Sequence, residues 1–251
     1  MGNIIAVLNQ KGGVGKTTST INIAAYLAKQ KKTVLIVDLD PQGNATSGIG
    51  LDKHASDGTV YDLLFGTVSA ADIVKETTVE NVFVLPANAG LAAAEVDLAN
   101  EQQREFRLRS ALQGLVYDYI LIDCPPSLGL LSINALTAAG HVLVPVQAEY
   151  YALEGLGQLL DVVQRVRQGL NPGLELLGIV VTMYDGRTSL SEQVVQELKK
   201  HFGNKLLHTI IPRNVRLAEA PSYGKTILEH DKWSKGARSY KQLAKEISQH
   251  V

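Results

Sequence analysis

The sequence predicts an α/β fold in which one doubly wound, mostly parallel sheet carries helices on both faces. Short runs of Val, Ile and Leu without polar alternation recur along the chain, as is typical of strands covered on both sides. Amphipathic stretches separate these runs, which indicates right-handed strand–helix–strand crossovers. Hydrophobic residues make up 45% of the 251 residues, enough to bury a sizeable core.

Seven apolar runs are the predicted strands, and the helices lie between them. The strands are expected at residues 3–9, 33–40, 82–87, 117–125, 141–147, 174–184 and 206–212. Helical stretches are expected between them, among others at residues 17–30, 153–168, 189–202 and 235–249. Ligands of such folds bind beyond the carboxyl ends of the strands, so the segments that follow the strands are the candidate site.

The segment KGGVGKTT, residues 11–18, follows the first predicted strand and leads directly into a helix. Its three glycines allow backbone N–H groups to wrap around phosphates, and the helix N-terminus adds a partial positive charge. Lys16 is expected to contact the β- and γ-phosphates of a nucleotide, and the Thr17 hydroxyl to bind Mg²⁺. The predicted phosphate-binding residues are Lys11, Gly12, Gly13, Val14, Gly15, Lys16, Thr17 and Thr18.

This loop departs from the usual GxxxxGK[ST] pattern at its first position, which is Gln10. It matches instead the deviant form KGGxGK[ST], which has an additional lysine, Lys11, at its start. A glycine-rich turn without a ligand is the alternative. The strand before the segment and the helix after it favour the phosphate-binding interpretation.

Three aspartates end predicted strands at the edge where the phosphates should lie. The second strand ends in DLDPQGN, which contains Asp38 and Asp40, and the strand ILID ends in Asp123. We expect Asp40 to orient or deprotonate an attacking water, Asp38 to lie near the metal, and Asp123 to hold Mg²⁺ through a water. Lys16 and Asp40 are thus predicted catalytic residues, and Thr17, Asp38 and Asp123 predicted magnesium ligands. Each aspartate alone could be an ordinary turn residue or helix cap.

The charge distribution is uneven although the net charge is only −1. Residues 185–251 contain 12 Lys and Arg against 7 Asp and Glu, whereas residues 1–184 contain 12 against 18. The C-terminal quarter is therefore locally basic. This fits either a nucleic-acid contact or ordinary solvated helix faces.

Four segments together resemble the ParA/Soj family of DNA-partitioning ATPases: KGGVGKTT, DLDPQGN, ILIDCPPS and IPRNVRLAEAPSYGK. The resemblance covers nearly the whole chain and implies a P-loop ATPase in which two subunits enclose two ATP molecules with Mg²⁺. It implies that Lys11 is catalytic, reaching the partner's phosphates as a cation supplied in trans. It also implies that Pro212 and Asn214 lie near the adenine, and that a ParB/Spo0J-like centromere-binding protein stimulates hydrolysis.

The same resemblance implies non-specific DNA binding by the ATP dimer, in a cytoplasmic protein associated with the nucleoid. The positions that match the family pattern are Arg187 and Arg216, and Lys199, Lys200 and Lys225 are further candidates. Some plasmid members carry an N-terminal helix-turn-helix. Because the first strand begins at residue 3, we expect a single ATPase domain over residues 1–251 without that module.

Other function classes share the phosphate loop. A MinD-like membrane-cycling ATPase needs an amphipathic C-terminal helix with bulky anchors, and here the stripe is small, consisting of Ala237, Tyr240, Leu243, Ala244 and Ile247. We therefore expect it to pack against the domain, and no membrane contact. Electron transfer through a cluster needs two cysteines per subunit, and Cys124 is the only one. No separate substrate segment stands out for a small-molecule kinase, and the presence of Asp40 and Lys11 favours turnover over a purely structural nucleotide-binding module.

Overall fold

The computed structural model describes residues 2–54, 58–149 and 152–251. Its eight strands form one sheet in the order β3-β4-β2-β5-β1-β6-β7-β8. They are β1 (Asn3–Val7), β2 (Val34–Asp38), β3 (Lys75–Glu76), β4 (Val82–Leu85), β5 (Tyr119–Asp123), β6 (His141–Gln147), β7 (Glu175–Tyr184) and β8 (Leu206–Pro212).

The seven predicted strands are all present, and every pairing among them is parallel. Several end earlier than predicted, because their last apolar residues already belong to loops at the carboxyl edge. The eighth strand, β3, was not predicted. It pairs antiparallel with β4 and consists only of Lys75 and Glu76, which carry no apolar signal.

The helices cover both faces of the sheet, and the four predicted long helices are confirmed to within two residues at each end. The α-helices are α1 (Lys16–Ala28), α2 (Asn44–Gly48), α3 (Val60–Phe65), α4 (Ala70–Ile73), α5 (Ala94–Asp97), α6 (Arg107–Ala111), α7 (Leu130–Ala138), α8 (Ala152–Gly169), α9 (Ser189–Phe202), α10 (Val215–Glu219), α11 (Ile227–His230) and α12 (Lys235–Ile247). Short 3₁₀ turns lie at Ala89–Ala93, Leu98–Asn100, Arg104–Phe106, Gly203–Lys205 and Ala220–Tyr223.

Two apolar layers enclose the sheet, because alternate residues of each strand face opposite sides. In β1, Ile5 and Val7 pack in the layer that contains α1 and α12. Ile4 and Ala6 pack in the layer that contains α7 and α8. Burial on both faces explains why the strands lack polar alternation.

The apolar stripe of α12 is fully used in packing. Its five members are at most 1% exposed and lie in the same layer as α1: Ala237, Tyr240, Leu243, Ala244 and Ile247. The expected packing of this stripe against the domain is thereby confirmed. In the part of the chain that the structure describes, no helix has the length and apolar character needed to cross a bilayer.

Candidate nucleotide-binding site

The loop between β1 and α1 has the backbone geometry that its glycines predict. Gly13 has a φ of +74° and Gly15, which precedes the first residue of α1, has a φ of +88°. A Cβ at Gly13 would meet no atom within 4 Å, so glycine is required there for its backbone angle. The loop thus turns sharply into the N-terminus of α1, where backbone N–H groups are free to bind an anion.

Hydrogen bonds to neighbouring strands hold this loop in place. Thr182 Oγ1, near the end of β7, donates to the Val14 carbonyl at 2.8 Å. Asn9 Nδ2 donates to the Pro145 carbonyl of β6 at 2.7 Å, and its Oδ1 accepts from the Lys11 N–H at 3.0 Å. The loop is therefore positioned by the sheet before any phosphate arrives.

Lys16 is a buried cation held by the loop itself. Its side chain is only 7% exposed, and Nζ donates to the Lys11 carbonyl at 3.1 Å. Burial lowers the pKa of Lys16, and the nearby charges of Asp123 and Asp40 act in the opposite direction. A desolvated ammonium next to the loop is well suited to pair with a phosphate.

Two carboxyl groups meet beneath the loop. β2 and β5 are parallel neighbours whose register pairs Asp38 with Asp123 at the ends of the strands, and both residues are fully buried. Thr17 Oγ1 donates to Asp123 Oδ2 at 2.6 Å. Burial and the charge of Asp38 raise the pKa of Asp123 to about 8, although the hydrogen bond from Thr17 opposes the rise. Burial likewise raises the pKa of Asp38 to about 6.

Asp38 and Asp40 differ in what holds them. Asp38 Oδ2 accepts from both the N–H and the hydroxyl of Thr46, at 2.8 and 2.7 Å, and Oδ1 accepts from the Asp40 N–H at 3.2 Å. Asp40 is 7% exposed and accepts from the Gln42 N–H at 2.9 Å. Asp38 is thus held by Thr46 of α2 and by the backbone of Asp40, whereas Asp40 has fewer partners and can engage a ligand.

The donor atoms of this cluster fit Mg²⁺. Thr17, Asp38 and Asp123 supply hydroxyl and carboxylate oxygens, the hard ligands that Mg²⁺ prefers. Burial raises the pKa of both carboxyl groups, and a cation bound beside them would favour their ionised form. No group of three or more His, Cys, Asp or Glu forms a metal cluster among the described residues, so water or phosphate oxygens would have to complete the shell.

Lys11 is paired within its own chain. Its Nζ lies 2.9 Å from Glu149 Oε2, and Gln147 Nε2 donates to the other carboxylate oxygen at 2.6 Å. Both charged side chains are nearly half exposed, and such pairs contribute only about 0–1 kcal/mol. A phosphate could therefore replace Glu149 as the partner of Lys11.

A cleft beside the loop contains the two residues expected near adenine. Pro212 and Asn214 line it together with Gly15, Thr18 and Tyr240. The Asn214 side chain also accepts from the Leu217 N–H at 3.3 Å and so caps α10. The structure brings the expected base contacts to the phosphate loop, and it gives Asn214 a structural role that the sequence did not predict.

Relatives of known name identify the family. A model of the AAA domain matches residues 2–176. Sporulation initiation inhibitor protein Soj of Bacillus subtilis is 56% identical over 250 residues, which cover 99% of either chain. Chromosome partitioning protein ParA of Myxococcus xanthus is 51% identical over 98% of this chain and 88% of its own length. The chain belongs to the ParA/Soj family. The resemblance predicted from four sequence segments is thus confirmed along nearly the whole chain.

A solved structure extends the ParA/Soj comparison to the fold. The cobyrinic acid a,c-diamide synthase of Mycobacterium smegmatis, crystallised with ADP and magnesium, matches with a TM-score of 0.89 and 39% identity. The match covers 100% of this chain and 95% of that one. The predicted single-sheet α/β fold of a P-loop ATPase is therefore confirmed.

The two arginines that match the ParA/Soj pattern are both exposed and both paired with acids. Arg187 is 86% exposed and donates through Nε and Nη2 to Asp185, at 2.8 and 2.6 Å. Arg216, on α10, is 57% exposed and donates to Glu219 at 2.9 Å, with Asp231 at 3.7 Å. The charge count from the sequence therefore overstates the unpaired positive charge here.

The lysine candidates do not lie together. Lys225 follows the turn at Gly224, close in sequence to α10, and it is exposed. Lys199 and Lys200 lie in the last turn of α9, which leads away from the carboxyl edge. They are about 15 Å further along this helix than its first residue, near which Arg187 lies. The structure thus separates these two lysines from the arginines.

Several residues that complete this ParA/Soj site were missed by sequence reasoning. Thr46 binds Asp38, and Glu149 pairs with Lys11 although 138 positions separate them. Tyr240, which also lines the cleft that contains Pro212 and Asn214, shares a hydrogen bond of 3.0 Å with Ser19 of α1. Only Glu149 had a usable signal, since it lies just beyond the carboxyl end of a strand.

Proposed function

We propose that this ParA/Soj protein binds ATP with Mg²⁺, forms an ATP-dependent homodimer that binds DNA without sequence preference, and hydrolyses ATP slowly. A ParB/Spo0J-like partner stimulates hydrolysis and so drives partitioning of a chromosome or plasmid. The contact that carries the proposal is Thr17 Oγ1 to Asp123 Oδ2, at 2.6 Å. It joins the hydroxyl of the phosphate loop to the strand-end carboxylate that P-loop ATPases use for Mg²⁺.

Binding uses the loop, Lys16 and the neighbouring cleft. The backbone N–H groups of the loop cradle the phosphates, and Lys16 exchanges the Lys11 carbonyl for the β- and γ-phosphates. The adenine enters the cleft lined by Pro212 and Asn214. Mg²⁺, held by Thr17 and Asp123 with Asp38 behind them, would supply charge neutralisation at the phosphates.

Hydrolysis depends on Asp40 and on a second subunit. Asp40 orients the attacking water and accepts its proton, because it is the strand-end carboxylate with the fewest protein partners. Lys11 leaves Glu149 and stabilises the charge that develops on the partner's γ-phosphate. Turnover is slow since this arrangement is complete only in the dimer, and the ParB/Spo0J-like partner aligns it fully.

Similar proteins support this proposal independently of the geometry of this chain. Two of them are called Soj and chromosome partitioning protein ParA. The Mycobacterium smegmatis protein of the same fold binds ADP and magnesium. The arginines Arg187 and Arg216 are the proposed DNA phosphate contacts, joined by the exposed Lys225. Lys199 and Lys200, in the last turn of α9, are proposed as more peripheral contacts to DNA.

The dimer switch is tested by two variants that should behave oppositely. Asp40→Ala leaves the phosphate loop intact, so it should bind ATP, lose hydrolysis and elute as a dimer in size-exclusion chromatography with ATP. Lys11→Ala removes the cation supplied in trans, so it should bind ATP yet stay monomeric. Lys29→Ala, near the far end of α1, is the control and should behave as wild type. An Asp40→Ala protein that stays monomeric with saturating ATP would refute the proposed switch.

A further inference from the structure

A groove far from the phosphate loop exposes the only tryptophan of the chain. It lies where the C-terminal end of α1 meets the segment between α11 and α12, and its apolar floor is formed by Tyr26, Leu228 and Trp233. Trp233 is 79% exposed. The groove encloses about 600 Å³, which accommodates a few side chains of a ligand.

Lysines surround this apolar floor. Four of them line the groove: Lys29, Lys232, Lys241 and Lys245. Lys241 and Lys245 lie one turn apart on α12, and Lys232 Nζ is 5.3 Å from the centre of the Trp233 ring. No carboxylate is among the described lining residues, so the groove is uniformly positive.

The acidic residues nearest in sequence do not neutralise these lysines. Glu229 accepts from Thr78 and Thr226, both at 2.9 Å. Asp231 accepts from the Trp233 N–H and faces Arg216. Glu246 accepts from two successive N–H groups of β8, at 2.6 and 3.0 Å. Among the described residues, none of the four groove lysines forms an ion pair with a carboxylate, so their positive charge stays available for a ligand.

We propose that this groove binds an acidic peptide segment of a partner protein, with a bulky apolar side chain of that segment against Trp233. Charge complementarity with four lysines selects the acidic residues. Burial of an exposed tryptophan supplies the kind of central anchor that dominates protein interfaces. The inference goes beyond the proposed ATPase and DNA cycle and does not depend on the nucleotide site.

Two other anionic surfaces fit the groove less well. Duplex DNA presents phosphates and needs no apolar floor, so it would leave Trp233 without an apolar partner. An anionic membrane needs an amphipathic helix with a free apolar face, and the stripe of α12 is buried in the core. An acidic peptide with an apolar residue satisfies both the charged rim and the floor.

The fluorescence of Trp233 reports on this groove alone, because the chain has one tryptophan. The probe is a short synthetic peptide in which Asp and Glu flank a central Leu-Phe pair. We expect a saturable blue shift on titration without nucleotide, which weakens as salt rises. Two matched peptides should give no saturable shift: one with Lys in place of the acids, and one with Ser in place of Leu-Phe.

Charge reversal in the groove locates the binding. Lys241→Glu/Lys245→Glu should weaken the peptide by about tenfold or more, since two attractive contacts become repulsive. Lys199→Glu/Lys200→Glu makes the same change on α9 and should leave peptide affinity unchanged.

The proposal is overturned if the acidic peptide gives no shift, if either matched peptide binds equally, or if both double variants keep wild-type affinity. A shift produced by a short DNA duplex or by phosphatidylglycerol vesicles, but not by the peptide, overturns it in favour of that surface. Because the titration needs no ATP, its failure leaves the proposed ATPase function untouched.

Discussion

At the scale of single residues, the site concentrates buried charge that the protein only partly compensates. Asp38 and Asp123 are buried side by side at the ends of β2 and β5. The positive charge of Lys16 acts on Asp123. The sequence predicted these three because each lies in a contiguous motif or at a strand end. It did not single out Thr46, which turns back from α2 to Asp38, or the pairing of Glu149 with Lys11, which joins segments 138 positions apart.

The raised pKa of Asp123 predicts how stability depends on pH. An unfolded aspartate has a pKa near 4, whereas burial raises that of Asp123 to about 8. Between these values the folded chain holds a proton that the unfolded chain has lost, so the free energy of unfolding falls as pH rises. Asp123→Asn has no carboxyl group at this position, so this fall in the free energy of unfolding should not occur in the variant. Without Mg²⁺ the variant should melt about 3 °C or more above wild type at pH 8, with the difference vanishing near pH 4.

Thermal melting across this pH range tests the prediction, with Asp97→Asn at an exposed position as the control. Mg²⁺ should raise the melting temperature of the wild type more than that of Asp123→Asn. A difference between variant and wild type that does not change with pH would show that folding does not raise the pKa of Asp123.

Lys16→Met separates the charge of Lys16 from its volume. The variant keeps an unbranched buried side chain but cannot pair with phosphates, so ATP affinity should fall about 100-fold while the fold is retained. Titration with a fluorescent ATP analogue measures the loss, and circular dichroism checks the fold. Lys29→Met, at the opposite end of α1 from the loop, should bind ATP normally. Wild-type affinity in Lys16→Met would exclude residues 11–18 as the phosphate site.

At the scale of elements, apolar pattern predicted the long strands and helices but not the short ones. β4 is apolar throughout and β5 is apolar up to its last residue, Asp123, and both are largely buried, so they were recognisable. β3 has two polar residues, and helices of four to six residues are too short to show a helical period. These short pieces include α10, which carries Arg216.

The packing of α12 on α1 links the C-terminal helix to the phosphate loop. Tyr240 is 1% exposed, and its hydroxyl shares a hydrogen bond of 3.0 Å with Ser19. Tyr240→Phe should lower the free energy of unfolding by about 1 kcal/mol, because Ser19 loses its partner in the core. Urea unfolding measures the change. Tyr61→Phe removes an exposed hydrogen bond to Asp97 and should change almost nothing. If the two substitutions lowered the free energy of unfolding equally, the hydrogen bond between Tyr240 and Ser19 would not stabilise the packing of α12 on α1.

At the scale of the whole molecule, nucleotide and proposed DNA contacts share the carboxyl edge of one sheet. Arg216 follows β8 and is paired with acids in the single chain. A few partly paired arginines gain too little from DNA phosphates to bind well at physiological salt. Dimerisation doubles the patch, which is why we expect DNA binding to require ATP. The sequence predicted the basic region, yet only the structure reveals its acidic partners.

The central claim is that the ATP-bound dimer binds DNA. It is tested most directly by measuring DNA retention of Asp40→Ala, the variant expected to bind ATP without hydrolysing it. Asp40→Ala should retain DNA in a filter-binding assay with ATP, but not with ADP or without nucleotide. Affinity should be independent of DNA sequence and fall steeply with salt, with a log–log slope of about −0.9 for each phosphate contact. Arg216→Glu in this background should abolish retention while the dimer persists, and Arg109→Glu, at an exposed site in the acidic part of the chain, should not. Retention that is equal with ATP and ADP, or unchanged by Arg216→Glu, would contradict the account.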